Sequence, residues 1–140
     1  MGRRDDPRIE RLRALPIFAA CHRRELEAIS GLADEVRLRP GTLLTAEGDP
    51  GRECFVLLDG DASVRIGRRT VAHIGPGDIV GEMALLEDQP RTATVVTTTP
   101  VRALVMTRPA FTAALEASPN MSRRVMRTLS GRLRDVQSAA

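Results

Sequence analysis

Residues 79–95 of the chain read IVGEMALLEDQPRTATV, and the rest of the sequence is organised around this stretch. A turn-forming run, Gly75-Pro76-Gly77-Asp78, precedes it, and Gly81 opens a short helix-forming segment. The N-terminus of a short helix offers unpaired backbone N–H groups and the positive end of a dipole, which suit a phosphate. Arg91 stands before a β-branched segment, and its guanidinium can hold a phosphate through two parallel hydrogen bonds. The stretch therefore predicts a phosphate-binding site, with an ordinary surface ion pair of Glu82 and Arg91 as the structural alternative.

This pattern resembles the phosphate-binding cassette of cyclic nucleotide-binding domains. The resemblance rests on residues 81–85 (GEMAL), on residues 90–95 (PRTATV) and on the nine-residue offset between Glu82 and Arg91. It implies that Arg91 neutralises the cyclic phosphate and that backbone N–H groups around Met83 and Ala84 also bind it. It further implies that Glu82 accepts a hydrogen bond from the ribose 2′-OH.

The resemblance also assigns residues to the base of the nucleotide. Thr92 would bond the phosphate or the 2-amino group of a syn guanine, with an ordinary strand threonine as the alternative. The base would lie against apolar residues of the roll that otherwise belong to its core. The chain has no Trp or Tyr to stack on a purine, so the lid is expected to be aliphatic or an arginine. The resemblance implies that Arg132 on the last helix is this lid, with a solvated surface arginine as the alternative. The ligand-binding candidates are Gly81, Glu82, Met83, Ala84, Arg91, Thr92, Arg132, Val64, Ala72 and Ile74.

The composition is that of a water-soluble globular chain and limits the possible functions. All 21 basic residues are arginine and the net charge is +3, which is too small to argue for a nucleic-acid partner. Cys21 and Cys54 form no CxxC motif or His/Cys cluster, so we expect reduced thiols in a cytoplasmic protein and no metal site. No apolar stretch is long enough to span a membrane.

Catalysis is not expected. His22 and His73 have no carboxylate or Cys neighbour at catalytic or metal-ligating spacing, so both are expected to be structural. With no nucleophile and base in the sequence pattern, we expect no enzymatic activity, no catalytic residue, and no cofactor apart from a cAMP or cGMP ligand.

The period of the apolar residues changes twice along the chain. Residues 7–31 have helical spacing, residues 32–107 alternate between turns rich in Gly and Pro, and residues 108–138 return to helical spacing. About eight short strands of this kind indicate an antiparallel β-roll, a double-stranded β-helix or jelly roll. We therefore expect one α+β domain over residues 1–140. It would contain short N-terminal helices, an eight-stranded roll with the cassette at 79–95, a cassette helix and two C-terminal helices.

The last helix is expected to begin with Asn120 or Ser122 as its cap. Its apolar stripe contains Met121, Val125, Leu129, Leu133 and Val136. The stripe either packs on the roll or forms a homodimer.

Three functions fit these observations. The first is a sensor that binds a cyclic nucleotide second messenger and acts through its C-terminal helix on an output domain or partner protein. The second is the effector half of a DNA-binding transcription regulator. We expect no direct nucleic-acid contact by this chain, since the residues before Ala140 leave no room for a recognition helix. The third is a roll that has lost its ligand and acts as a protein scaffold.

Overall fold

The computed structural model describes residues 7–81 and 90–127 of the 140-residue chain. The expected cassette helix and the end of the last helix lie outside these residues. The helices are α1 (Pro7–Arg13), a 3₁₀ helix (Pro16–Phe18), α2 (Arg23–Leu32), α3 (Arg108–Ala117) and a helix over residues 119–127. The strands are β1 (Asp34–Leu38), β2 (Leu43–Thr45), β3 (Glu53–Asp59), β4 (Ala62–Ile66), β5 (Arg69–Ile74), β6 (Ile79–Val80), β7 (Thr94–Thr97) and β8 (Val101–Thr107).

The eight strands form two four-stranded sheets in which every pairing is antiparallel. The strand orders are β1-β8-β3-β6 and β2-β7-β4-β5. The predicted eight-stranded antiparallel roll is confirmed.

β3 is apolar along most of its length because both of its faces are buried. Cys54, Val56 and Leu58 face a core shared with the helices. Phe55 and Leu57 face the second core, between the two sheets. Since successive side chains of a strand point to opposite faces, this strand separates the helical layer from the roll interior.

The helical layer buries the apolar positions that helical spacing predicts. Leu12 of α1 and Leu26 of α2 are fully buried. Met121 and Val125, the first two residues of the expected stripe, join the same core. They therefore pack within their own domain. The remaining stripe residues, 129, 133 and 136, lie outside the described residues. In the part of the chain that the structure describes, no helix has the length and apolar character needed to cross a bilayer.

The cap of the 119–127 helix is Ser118, so the expectation of Asn120 or Ser122 was wrong. The Met121 N–H donates to Ser118 Oγ at 3.1 Å, and the Ser122 N–H donates to the Ser118 carbonyl at 3.0 Å. Pro119 then occupies the first helical position, where its fixed φ is favourable and its missing N–H costs nothing. The helix therefore begins at Pro119, before the residues Asn120 and Ser122 that were expected to cap it.

Candidate functional site

The backbone of Arg91 is held by the loop between β2 and β3. Its N–H donates to the Asp49 carbonyl at 2.8 Å, and its carbonyl accepts from the Gly48 N–H at 2.9 Å. Pro50 and Pro90 form a β-bridge beside these bonds. This short antiparallel ladder fixes Arg91 before β7 begins.

The side chain of Arg91 is buried, with 7% of the residue exposed. Nη1 donates to the Gly81 carbonyl at 3.1 Å, and Nη2 donates to the Glu53 carbonyl at 2.6 Å. A guanidinium is planar, so two such bonds fix both the position and the plane of the group. The chain thus carries an oriented cation where the end of β6 meets the start of β3.

Gly81 is required at this place for two reasons. Its φ is +87°, a left-handed conformation that glycine adopts without steric cost. A Cβ on Gly81 would also overlap Nη1 of Arg91 and would stand 3.1 Å from the Glu53 carbonyl oxygen. The missing side chain of Gly81 is therefore what lets the guanidinium lie against the backbone.

The edge of the second sheet leaves part of its inner face open. Val64 pairs with Ala72 on β5 and with Val95 on β7, so these three side chains share one face. Val95 is buried in the core between the sheets, while Ala72 on the edge strand is exposed. Val64 and Ile74 are half-buried against that same core. The roll therefore presents an accessible apolar surface beside the strand that follows Arg91.

The described residues include only part of the predicted site. Thr92 is exposed next to the buried Arg91. The structure places Gly81 against Arg91, and Val64, Ala72 and Ile74 on the open edge of the second sheet. The predicted residues Glu82, Met83, Ala84 and Arg132 lie outside the described residues, and their roles stay predictions.

The two histidines lie on different elements of the fold. His22 precedes α2, and its N–H donates to Glu25. His73 is an exposed residue of β5 paired with Ser63. No cluster of three metal-ligating side chains occurs within residues 7–81 and 90–127.

A second polar cluster joins the N-terminal helices to the 119–127 helix. Glu25 of α2 accepts hydrogen bonds from Ser118 Oγ at 2.9 Å and from Asn120 Nδ2 at 2.9 Å. The His22 N–H donates to the same carboxylate at 2.6 Å. Burial raises the pKa of Glu25, but hydrogen bonds from Asn120, His22 and Ser118 outweigh it and lower the pKa to about 2. Glu25 is thus a buried anion held by donors from two helices.

Sequence reasoning missed Glu53 and Glu25. Glu53 acts on Arg91 through its backbone carbonyl, which any residue would supply, so its side chain gives no signal. Glu25 follows His22 by three residues, a spacing at which a helix often bonds its own first turn. Its contact with Asn120 spans 95 residues, and no local pattern could have indicated it.

The comparison with known families decides which domain this is. The model of a family described as "Cyclic nucleotide-binding domain" matches residues 35–118, a range that includes both Gly81 and Arg91. The chain belongs to the cyclic nucleotide-binding domain family. The matched range runs from β1 through α3, so it covers the whole roll of this cyclic nucleotide-binding domain.

Among the proteins similar to this domain are two curated regulators and the structure of a kinase regulatory domain. The cAMP-dependent protein kinase regulatory subunit of Colletotrichum orbiculare is 33% identical over 115 residues, which cover 81% of this chain and 29% of that protein. The CRP-like cAMP-activated global transcriptional regulator of Mycobacterium tuberculosis is 31% identical over 125 residues, covering 84% of this chain and 55% of that protein. The regulatory domain of Toxoplasma gondii PKA, crystallised with cAMP, has a TM-score of 0.66 at 29% identity, covering 76% of this chain and 42% of that one.

The chain spans less than a third of the first relative and about half of the second. The activities and partners of those whole proteins are therefore only proposals for this domain.

Proposed function

We propose that this domain binds cAMP, with cGMP as an alternative ligand, and that binding regulates an output domain or partner protein. The observation that carries the proposal is the Arg91 guanidinium, buried and oriented by the carbonyls of Gly81 and Glu53. In a member of this family, such a cation is suited to the one full negative charge of a cyclic nucleotide, its phosphodiester. The relatives named for cAMP support the choice of ligand.

The rest of the ligand is assigned by its chemistry. The ribose 2′-OH donates to Glu82, and Arg91 balances the charge that this carboxylate adds beside the phosphate. Backbone N–H groups at Met83 and Ala84 complete the phosphate site. Thr92, exposed beside Arg91, bonds the phosphate or the 2-amino group of a syn guanine.

The purine lies on the open apolar face of the second sheet. Val64, Ala72 and Ile74 supply that face, and Ala72 is exposed although its cross-strand partner Val64 packs against the inter-sheet core. Arg132 covers the base from the last helix. Apolar surface that a ligand removes from water contributes roughly 25 cal/mol per Å².

The role is regulatory, with no chemistry performed on the ligand by this domain. The proposal places the domain in the cytoplasm, which suits its two buried free cysteines, Cys21 and Cys54. The signal leaves through the 119–127 helix, whose first turn is tied to α2 by Glu25.

Calorimetric titration with cAMP and cGMP tests the proposal, with 5′-AMP as the matched control. We expect saturable binding of cAMP and a raised melting temperature, since a ligand that binds only the folded state stabilises it by mass action. Linear 5′-AMP should bind more weakly, because its phosphate is not held in a ring. If neither cyclic nucleotide gave a heat of binding or raised the melting temperature, ligand binding would be excluded. The scaffold function would then be the remaining one.

A second candidate for the output is transcription regulation. It is favoured by the similarity to the CRP-like regulator, of which this chain covers 55%. The test is the reading frame of the gene beyond Ala140. A helix-turn-helix encoded there would make this domain the effector half of a DNA-binding protein. Any other domain encoded there would indicate a different output.

A further inference from the structure

A groove separates the 3₁₀ helix from the 119–127 helix, and none of its lining residues is among those assigned to the nucleotide. It is partly open to solvent and has a volume of about 140 Å³. One wall is uncharged and consists of four residues between 16 and 20. The other wall carries Arg123, Arg124 and Arg127, with Asn120 at the end where Glu25 binds.

The arginines of this groove are concentrated in the part of the chain that carries its net positive charge. Residues 119–140 contain five arginines and one aspartate, a net charge of +4. Residues 1–118 contain 16 arginines and 17 acidic residues, a net charge of −1, which together give the +3 of the whole chain. Residues 119–140 are thus a basic segment of a chain whose charges are otherwise balanced.

Two of these arginines, Arg123 and Arg127, pair with no carboxylate in the part of the chain that the structure describes. Both residues are exposed. The nearby carboxylate of Glu25 is already bound by Ser118, Asn120 and His22. The two guanidinium groups therefore face solvent at one side of a cleft whose opposite wall is uncharged.

The size and the rim of the groove indicate what fits it. A cavity of about 150 Å³ holds a group the size of benzene, so this one accommodates a single apolar side chain. Met126 lies beside Arg123, three residues along the helix, and is 61% exposed. An exposed, flexible methionine adapts to the apolar part of a partner.

We infer that this groove binds an acidic peptide segment of a partner protein, with one apolar side chain in the cleft and flanking carboxylates on Arg123 and Arg127. Nucleic acid fits less well, because one whole wall is uncharged and a phosphate backbone needs a continuous basic track. An anionic membrane fits less well too, because the apolar face of the helix, Met121 and Val125, is buried in the domain core.

The test uses the full chain and a fluorescein-labelled peptide with four glutamates around one leucine. Fluorescence anisotropy should show binding that weakens as salt is added. Arg123→Ala/Arg127→Ala should reduce affinity about tenfold, as expected for two exposed charge pairs. Arg37→Ala/Arg39→Ala, which removes the same charge from exposed positions on and beside β1, should change it less than about twofold. The groove variant should keep wild-type affinity for cAMP.

Three controls distinguish the occupants. The same peptide with glutamine at each glutamate should not bind. Equal binding of that peptide, an equal loss in both double variants, or no binding of the acidic peptide at all would overturn the inference. Tighter binding of a DNA duplex or of phosphatidylserine vesicles that depends on Arg123 and Arg127 would assign the groove to that other partner and would also overturn it.

Discussion

Glu25 and Asn120 are joined by two hydrogen bonds, although 95 residues separate them in sequence. Asn120 Nδ2 donates to Oε2 of Glu25 at 2.9 Å, and the Asn120 N–H donates to Oε1 at 3.4 Å. The carboxylate therefore binds the first turn of the 119–127 helix from a different helix, and a negative charge at a helix N-terminus is favourable. Any movement of this helix has to carry α2 with it or break the contact.

Glu25 should make the domain sensitive to acid. Its pKa is lowered from 4.5 to about 2 in the folded state, so its stabilisation is complete above pH 4.5 and is lost as the pH falls towards 2. The difference corresponds to a contribution on the order of 3 kcal/mol. Glu25→Gln should lower the free energy of unfolding by about 1.5–3 kcal/mol at neutral pH and flatten its dependence on acid.

Urea denaturation at neutral pH and at about pH 3 measures both effects. Glu27→Gln is the matched control, because Glu27 is an exposed residue of the same helix that pairs with Arg23. That control should change stability by at most about 0.5 kcal/mol. If both variants had the same small effect and the same acid dependence as wild type, Glu25 would not hold the two helices together.

Gly81→Ala should weaken cAMP binding by displacing Arg91. The new Cβ would overlap Nη1, and an alanine at φ +87° is strained by about 1–2 kcal/mol. Gly41→Ala separates the two effects, because Gly41 has φ +82° but no atom within 4 Å of the added Cβ. Both variants should melt at a lower temperature, and only Gly81→Ala should lose affinity, by at least about tenfold. Equal affinities in the two variants would show that the position of Arg91 does not matter for binding.

The 2′-OH of the ribose tests Glu82, which lies outside the described residues. If Glu82 accepts a hydrogen bond from it, 2′-deoxy-cAMP should bind more weakly than cAMP by about 1.5–3 kcal/mol. In Glu82→Ala the two ligands should bind alike, because the acceptor is gone. Calorimetry of the four combinations gives the coupling between the residue and the hydroxyl. A full 2′-deoxy penalty that persists in the variant would assign the hydroxyl to another residue.

Hydrogen exchange tests the proposed route of the signal. Added cAMP should slow amide exchange between Asn120 and Gln137 as Arg132 closes over the base. The first turn should change least, because Met121 is already buried and Glu25 already holds Asn120. Unchanged exchange along the whole segment would mean that the signal leaves by another route, such as the cassette.

The strands could be predicted from the sequence because apolar alternation and glycine turns are local signals. The run from Cys54 to Leu58 is continuously apolar since both faces are covered, and that too is visible in sequence. Arg91 could be singled out for its position in the cassette. The burial of Arg91 could not be predicted from the sequence. It depends on the carbonyl of Glu53, 38 residues away, and on the absence of a side chain at Gly81.

The helix ends were harder to predict than the helices. Ser118 ends α3 and also begins the next helix. Its hydroxyl is shared between Met121 and the buried Glu25. Contacts of this kind depend on the tertiary fold, so neither the sequence spacing nor the preference of a single residue reveals them.

Arg91 provides the most direct test of the nucleotide site. Calorimetric titration with cAMP should compare wild type, Arg91→Lys and Arg91→Ala, each checked by a thermal melt because Arg91 also binds two backbone carbonyls. Arg108→Ala is the matched control, since Arg108 donates to the Gly51 carbonyl in the same β2–β3 loop but lies outside the cassette. It should bind cAMP as wild type does.

Arg91→Ala should lose about 2–5 kcal/mol of binding free energy, roughly thirtyfold to several thousandfold in affinity. Lysine should restore part of it, because it keeps the charge without the two parallel N–H donors. A folded Arg91→Ala domain that bound cAMP as tightly as wild type would contradict the assignment of this site.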